Sequence, residues 1–265
     1  MSTMNKIDLY RQRLRAARDV EALLLKESGL PGPRGNLELA QASVEELPPR
    51  TLNAYLKYTP QRAPTNTPHE FLAFCGTLGL GIPAARGEER AWRRLRLLAS
   101  DPRWRIREAV AMALQRVGRT DMGMLFTRLQ SWRSDNPLVR RAVAAGLCEP
   151  DLLRRKRDVA RTLSILAVLS TPFKRTAGRL DPERLVLRQA LGYCWSVAIA
   201  AHPQAGKPAF EKLLPPASPD VLWIVKENLS KNRLTRMDPA WVAACRRRIA
   251  AGTAQPGPSP KRRRP

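Results

Sequence analysis

Trp104 and Glu108 stand one helical turn apart in the run Trp104-Arg105-Ile106-Arg107-Glu108. On a helix both side chains can face one cleft, an aromatic wall beside a carboxylate. Such a pair suits stacking on a cationic ring and stabilising positive charge that develops next to it. The competing reading is that Trp104 and Trp223 are core wedges between packed helices, and both readings stay open at this point. Trp195 and Trp241 lie in apolar runs and read as core. The second chemistry-bearing set is basic. Arg93, Arg96, Arg105, Arg107, Arg116, Arg140, Arg141, Arg154, Arg155, Lys156 and Arg157 fall on consecutive helical segments. If those helices present them on one side, they form a stripe matched to a phosphate backbone, and the planar donor fork of arginine suits phosphate well.

Other chemistries find little support. The two histidines, His69 and His202, have no His or Cys at ligand spacing, so no metal site is expected. Cys75, Cys148, Cys194 and Cys245 form no CxxC pair and read as small buried hydrophobes of a reducing compartment. There is no G-x-x-x-x-G-K-[ST] loop, and no G-x-G-x-x-G follows a strand, so no nucleotide cofactor is expected. The glycine-rich stretch Gly76-Thr77-Leu78-Gly79-Leu80-Gly81 ends an apolar helix and reads as helix packing or termination.

The charge that surrounds these residues is large. The 265 residues hold 47 Lys+Arg against 23 Asp+Glu, a net +24, and 37 of the cations are arginine. The excess grows along the chain, from +3 over residues 1–87 to +8 over 88–158 and +13 over 159–265. The terminal Lys261-Arg262-Arg263-Arg264 supplies only +4, so most of the basicity belongs to the body of the chain. A basic body is a surface field that attracts polyanions. A hydrophobic content of 43% is too high for a disordered basic tail and fits a packed core. No apolar run reaches the roughly 18 residues needed to span a bilayer. The first residues lack the apolar stretch of a secretory signal, so a cytoplasmic location is expected, nucleoid-associated if the source is bacterial.

The elements that must position these groups read as helices throughout. Helical patterns fit 5–28, 37–47, 69–80, 88–100, 103–118, 121–133, 137–148, 150–170, 181–201, 206–214, 219–233 and 238–250. Several open on Asp-Pro, as at Asp101-Pro102, Asp181-Pro182 and Asp238-Pro239, where Asp offers a cap oxygen and Pro fits the first turn. Strand signals are nearly absent, so the chain is expected to be all-α. Residues 1–67 read as an N-terminal helical section with Pro/Gly-rich loops, 68–251 as a repeat domain, and 252–265 as a disordered basic tail. The repeat is internal: Ile106-Arg107-Glu108-Ala109-Val110-Ala111-Met112-Ala113-Leu114 is echoed 33 residues later by Val139-Arg140-Arg141-Ala142-Val143-Ala144-Ala145-Gly146-Leu147. A fainter echo begins at Trp223. Helical pairs with such faces bury them by stacking on one another.

The run Asp101-Pro102-Arg103-Trp104-Arg105-Ile106-Arg107-Glu108-Ala109-Val110 resembles the second half of a HEAT repeat, and Asp135-Asn136-Pro137-Leu138-Val139-Arg140 resembles the next one. The resemblance covers about residues 68–235. It implies a right-handed α-solenoid of HEAT-like helical pairs, in which Asp101 and Arg107, and Asp135 and Arg140, form an inter-repeat ladder. The stretches Ala99–Trp104 and Leu191-Gly192-Tyr193-Cys194-Trp195 further resemble AlkD-type DNA alkylation repair proteins. That likeness implies a concave basic face for duplex DNA, and an aromatic-plus-Asp cluster on the helix before the best repeat. Here that place reads Thr67-Pro68-His69-Glu70-Phe71-Leu72-Ala73-Phe74, with no Trp or Asp and with His69 and Glu70 as its polar residues.

Together these observations lead us to expect a non-catalytic protein that binds nucleic acid, DNA ahead of RNA. Its phosphate contacts are expected from Arg93, Arg96, Arg105, Arg116, Arg141, Arg154, Arg155, Lys156 and Arg157. The alternatives are a glycosylase acting on alkylated bases through Trp104 and Glu108, or His69 and Glu70, and a scaffold that holds an acidic protein partner.

Overall fold

The computed structural model describes residues 5–175 and 178–253. Among them the fold is all-α, with no strand. Chain contacts divide it into two compact units, Met1–Leu147 and Cys148–Pro265. No described helix is long and apolar enough to cross a membrane. The expected tail begins inside the last helix, which runs to Thr253, and residues 254–265, with Lys261–Arg264, lie outside the described residues.

The first unit holds α1 (Lys6–Ala16), α2 (Val20–Lys26), α3 (Leu37–Glu46), α4 (Pro49–Tyr55), α5 (Pro68–Gly79), α6 (Gly81–Ala85), α7 (Glu89–Leu98), α8 (Trp104–Thr120), α9 (Met122–Arg128) and α10 (Pro137–Leu147). The single helix expected over 5–28 is two. Ala17 is extended and Asp19 accepts a hydrogen bond from the Ala22 N–H, so an Asp cap restarts the chain as α2. The hub is α5, which packs against α2, α3, α4, α6 and α8. Phe71, Leu72, Ala73, Phe74, Cys75 and Leu78 are all buried, as befits a helix apolar on every side.

The expected apolar stripe of α8 is present. Ile106, Ala109, Val110, Ala113, Leu114 and Val117 are buried, and so are their counterparts Val139, Ala142, Val143 and Leu147 on α10. The two helices pack directly on each other. The residue at the Ala113 position of α10 is Gly146, where an added Cβ would come within 2.9 Å of the Leu114 Cβ. The glycine run of α5 is likewise a packing feature: a Cβ on Gly76 would meet the Leu52 carbonyl oxygen at 2.7 Å.

The second unit holds α11 (Lys156–Ser170), α12 (Pro182–Ala201), α13 (Pro203–Glu211), α14 (Pro219–Leu229), α15 (Asn232–Met237) and α16 (Pro239–Thr253). The pattern over 150–170 predicts one helix, but a short 3-10 turn over Pro150–Leu152 ends first and α11 starts afresh. Around α12 pack α11, α13, α14 and α15. Trp195 is fully buried, and its indole N–H donates to Ser170 Oγ at 3.1 Å. Asn228, also buried, accepts from the Ser196 N–H (2.8 Å) and donates to the carbonyls of Leu191 (2.8 Å) and Ile224 (2.7 Å), so a polar group inside this core is well satisfied. All four cysteines are free and buried, and burial pushes the Cys75 thiol up to about 12.

Candidate functional site

The start of α8 is built from cations. Its N-cap is Arg103, with extended backbone and no capping side chain. The Arg103 guanidinium is held bidentately by Asp101, Nε to Oδ1 at 2.9 Å and Nη2 to Oδ2 at 2.8 Å. Its Nη1 donates to the carbonyls of Tyr58 (2.9 Å) and Ala63 (3.0 Å), which ties the loop after α4 to α8. Arg107 Nη1 donates to the main-chain carbonyls of Asp101 (2.6 Å) and Pro102 (2.9 Å).

Arg105 is expected among the phosphate contacts, but the structure buries it. Its side chain is 6% exposed and pairs with Glu70, which is 0% exposed, at 3.3 Å. Nη2 donates to the Gly32 carbonyl at 2.6 Å and to Asn66 Oδ1 at 3.3 Å. Asn66 supplies the loop geometry. It adopts φ +67, a left-handed conformation that Asn tolerates, and its N–H donates to Glu70 Oε2 at 2.7 Å. Glu70 is thus an internal counter-ion, and His69 lies against Tyr58 with ring centroids 5.5 Å apart.

Trp104, beside this buried network, reaches the surface. It is 43% exposed, so it is not a core wedge, and the Arg105 guanidinium carbon sits 4.4 Å from its ring centroid. Trp104 and Glu108 line one cleft of about 130 Å³ with Leu30, Arg34, Phe71, Phe74 and Arg105. The cleft combines an aromatic face, an apolar floor and one carboxyl group. Burial raises the Glu108 carboxyl above the usual carboxylate range, and the positive charges of Arg141, Arg105 and Arg34 oppose that shift. Among the described residues no group of His, Cys, Asp and Glu is arranged to hold a metal ion.

The remaining sequence candidates divide by environment. Arg96 Nε donates to Asp135 Oδ2 at 2.6 Å, and Arg116 Nη2 to Glu45 Oε1 at 2.6 Å. Arg141 Nη1 donates to the Arg107 carbonyl at 2.7 Å, which crosses from α10 to α8. Arg140 is half-buried, and its Nε has no hydrogen-bond partner. Around the residues expected to form the ladder, Asp135 takes Arg96, the Asp101 carboxylate takes Arg103 while its carbonyl takes Arg107, and Arg141 of α10 reaches the backbone of α8. Arg93 is exposed on α7.

Arg154, Arg155, Lys156 and Arg157 are all exposed. Arg155 is the N-cap of α11, again extended and with no capping side chain, and Lys156 and Arg157 occupy the first turn. Arg154 Nη2 meets Asp151 Oδ1 at 2.7 Å in a pair open to solvent on both sides, and Arg157 Nε lies 3.7 Å from Asp158 Oδ1. Four adjacent cations at the positive end of a helix dipole make a strongly positive spot.

Spacing did not point to Gly32, Arg34 or Asn66, since each meets α8 from far along the chain. Arg90 and Arg94 flank Arg93 at helical spacing, and i, i+3, i+4 periodicity was the available signal for them. Compared with family models, curated proteins and solved structures, the chain matches none of them.

Proposed function

We propose that the protein binds nucleic acid, DNA ahead of RNA, through the phosphate backbone and without catalysis. The observation that carries this reading is the start of α11. Cations there cost stability, because the helix dipole favours anions at its N-terminus and like charges repel. A helix N-terminus with exposed arginines is a ready anion site, since free backbone N–H groups and the forked guanidinium groups converge on one oxygen-rich ligand. Phosphate contacts carry no sequence information, so binding is expected to be indifferent to sequence and steeply dependent on salt.

The architecture we propose for this binder is a right-handed solenoid of HEAT-like helical pairs. Support comes from α8 and α10, which share a buried pattern at matching positions and pack on each other, with Arg141 bonded to the Arg107 carbonyl across them.

The test is a gel shift with duplex DNA at two salt concentrations, using wild type and an Arg154→Glu/Arg155→Glu/Arg157→Glu variant. The variant should bind more weakly at both, with a log–log salt slope shallower by about 0.9 for each phosphate it no longer neutralises. Equal binding at both salt concentrations, with the variant folded, would refute the proposal.

A second reading rests on a separate observation, the shared cleft of Trp104 and Glu108. An aromatic face beside a carboxyl group is the arrangement a base-excision site uses on a cationic alkylated base. It predicts release of N3- or N7-methylated base from alkylated DNA, abolished in Trp104→Ala and Glu108→Ala. The arginines at Arg34 and Arg105 oppose a cationic ligand, which places this reading second.

A further inference from the structure

The first unit holds a second hollow, apart from the cleft at Trp104. It is a groove of about 800 Å³ among α4, the end of α5, α6 and α7. Its floor is apolar: Leu52, Leu56, Leu80, Ile82 and Pro83 line it, and Leu97 stands at its side 68% exposed. Its rim is cationic, from Arg86, Arg90, Arg93 and Arg94, with Glu88 as the one acid in the lining.

The sequence of α7 produces this asymmetry. Ala91, Trp92 and Leu95 are buried on one face, and the Trp92 indole N–H donates to the Ala84 carbonyl at 3.0 Å, which fixes α7 against α6. Arg90, Arg93, Arg94 and Leu97 follow at i, i+3, i+4 and i+7, so they share the opposite stripe and turn toward the groove. Like charges at these spacings repel. None of Arg86, Arg90, Arg93 and Arg94 makes an ion pair among the described residues, whereas Arg96 on the same helix does.

We infer that this groove docks an acidic amphipathic helix of a partner protein. The apolar floor and Leu97 would take the helix's apolar stripe, and the four arginines would take Asp or Glu side chains flanking that stripe. Two features select this occupant. A nucleic acid backbone presents no apolar stripe to bury on Leu97 and Ile82. A small amphiphile with one carboxylate would answer only one cation, whereas Arg90 to Leu97 spans roughly 10 Å of helix, about two turns. The proposal does not depend on the DNA-binding reading, because the residues belong to different units.

The test uses the full chain and a fluorescein-labelled designed peptide of about 18 residues, with Leu at i, i+3, i+4 and i+7 and Glu elsewhere. A scrambled peptide of the same composition, without the stripe, is the control. Fluorescence anisotropy near physiological salt should show saturable binding of the amphipathic peptide and at least tenfold weaker binding of the scramble. Arg90→Glu/Arg93→Glu/Arg94→Glu should weaken binding at least tenfold, and Leu97→Asp severalfold. All four residues are exposed, and unchanged thermal unfolding would confirm that these variants fold. The α11 triple variant should bind the peptide like wild type while binding DNA more weakly. No saturable binding, equal binding of the scramble, or equal binding by the groove variants would overturn the inference. Displacement of the peptide by duplex DNA from the α11 variant would do so too, since it would make the groove a phosphate site.

Discussion

The starts of α8 and α11 are assembled from the same parts and sit in opposite surroundings. Each helix has an arginine at its N-cap, Arg103 or Arg155, extended and with no capping side chain, and each carries further cations in its first turn. At α8, Asp101, Glu70, Asn66 and a set of main-chain carbonyls surround the arginines, so Arg103 and Arg105 hold the chain from Gly32 to Ala63 onto the helix. At α11 the cations are exposed, and the acids beside them, Asp151 and Asp158, come from the same short stretch. A charge becomes structural when distant parts of the chain supply its counter-charge and its acceptors. Where they do not, it remains a surface field available to a ligand.

The sharpest way to break this comparison is Arg105→Ala. Removing one partner strands the Glu70 carboxylate where no water reaches it, and breaking a buried pair in this way costs about 3–5 kcal/mol. Urea unfolding should show that loss. A midpoint near wild type would mean that the pair is not buried in solution.

Next in size is a matched pair of cap substitutions. Ser is a better N-cap than Arg, so Arg155→Ser should stabilise by about 0.5–2 kcal/mol. Arg103→Ser introduces the same cap but leaves Asp101 and the carbonyls of Tyr58 and Ala63 without their donor, so it should destabilise. Thermal unfolding of the two variants should therefore shift in opposite directions. Shifts of the same sign would erase the distinction between the helix starts.

The smallest effect concerns Glu108, the carboxyl group that α8 half-buries in the cleft. Its folded pKa is raised above the unfolded value, so folding favours the protonated form. The stability this confers is present below the unfolded pKa and is lost as pH rises through the folded one. Glu108→Gln should thus leave stability nearly unchanged at acid pH and raise it slightly near pH 7. Equal effects at both pH values would contradict the burial of this group.

Local periodicity made much of this legible. The 33-residue echo between α8 and α10 identified two packed helices, and the buried residues fall where i, i+3, i+4 spacing put them. The same spacing places Trp104 and Glu108 opposite the Ile106–Val117 stripe, which is why they face a cleft rather than the core. The fate of Arg105 was not legible, because its partners Glu70 and Gly32 lie 35 and 73 residues away and are brought to it by a left-handed turn at Asn66. The break before α11 escapes sequence reading for the opposite reason. The charged run from Arg154 to Asp158 fits a helical pattern as well as a helix start, and no Ser or Asp cap marks the boundary.

The most direct single measurement is binding of a short duplex DNA to the Arg154→Glu/Arg155→Glu/Arg157→Glu variant, titrated beside wild type at about 50 and 200 mM salt. Thermal unfolding of the same samples would be recorded alongside. If the cations of α11 form a phosphate site, the variant keeps its unfolding temperature, binds more weakly at both salt concentrations and shows the shallower salt slope. A folded variant with wild-type affinity and slope would show that these exposed charges, like the buried ones of α8, serve something other than DNA.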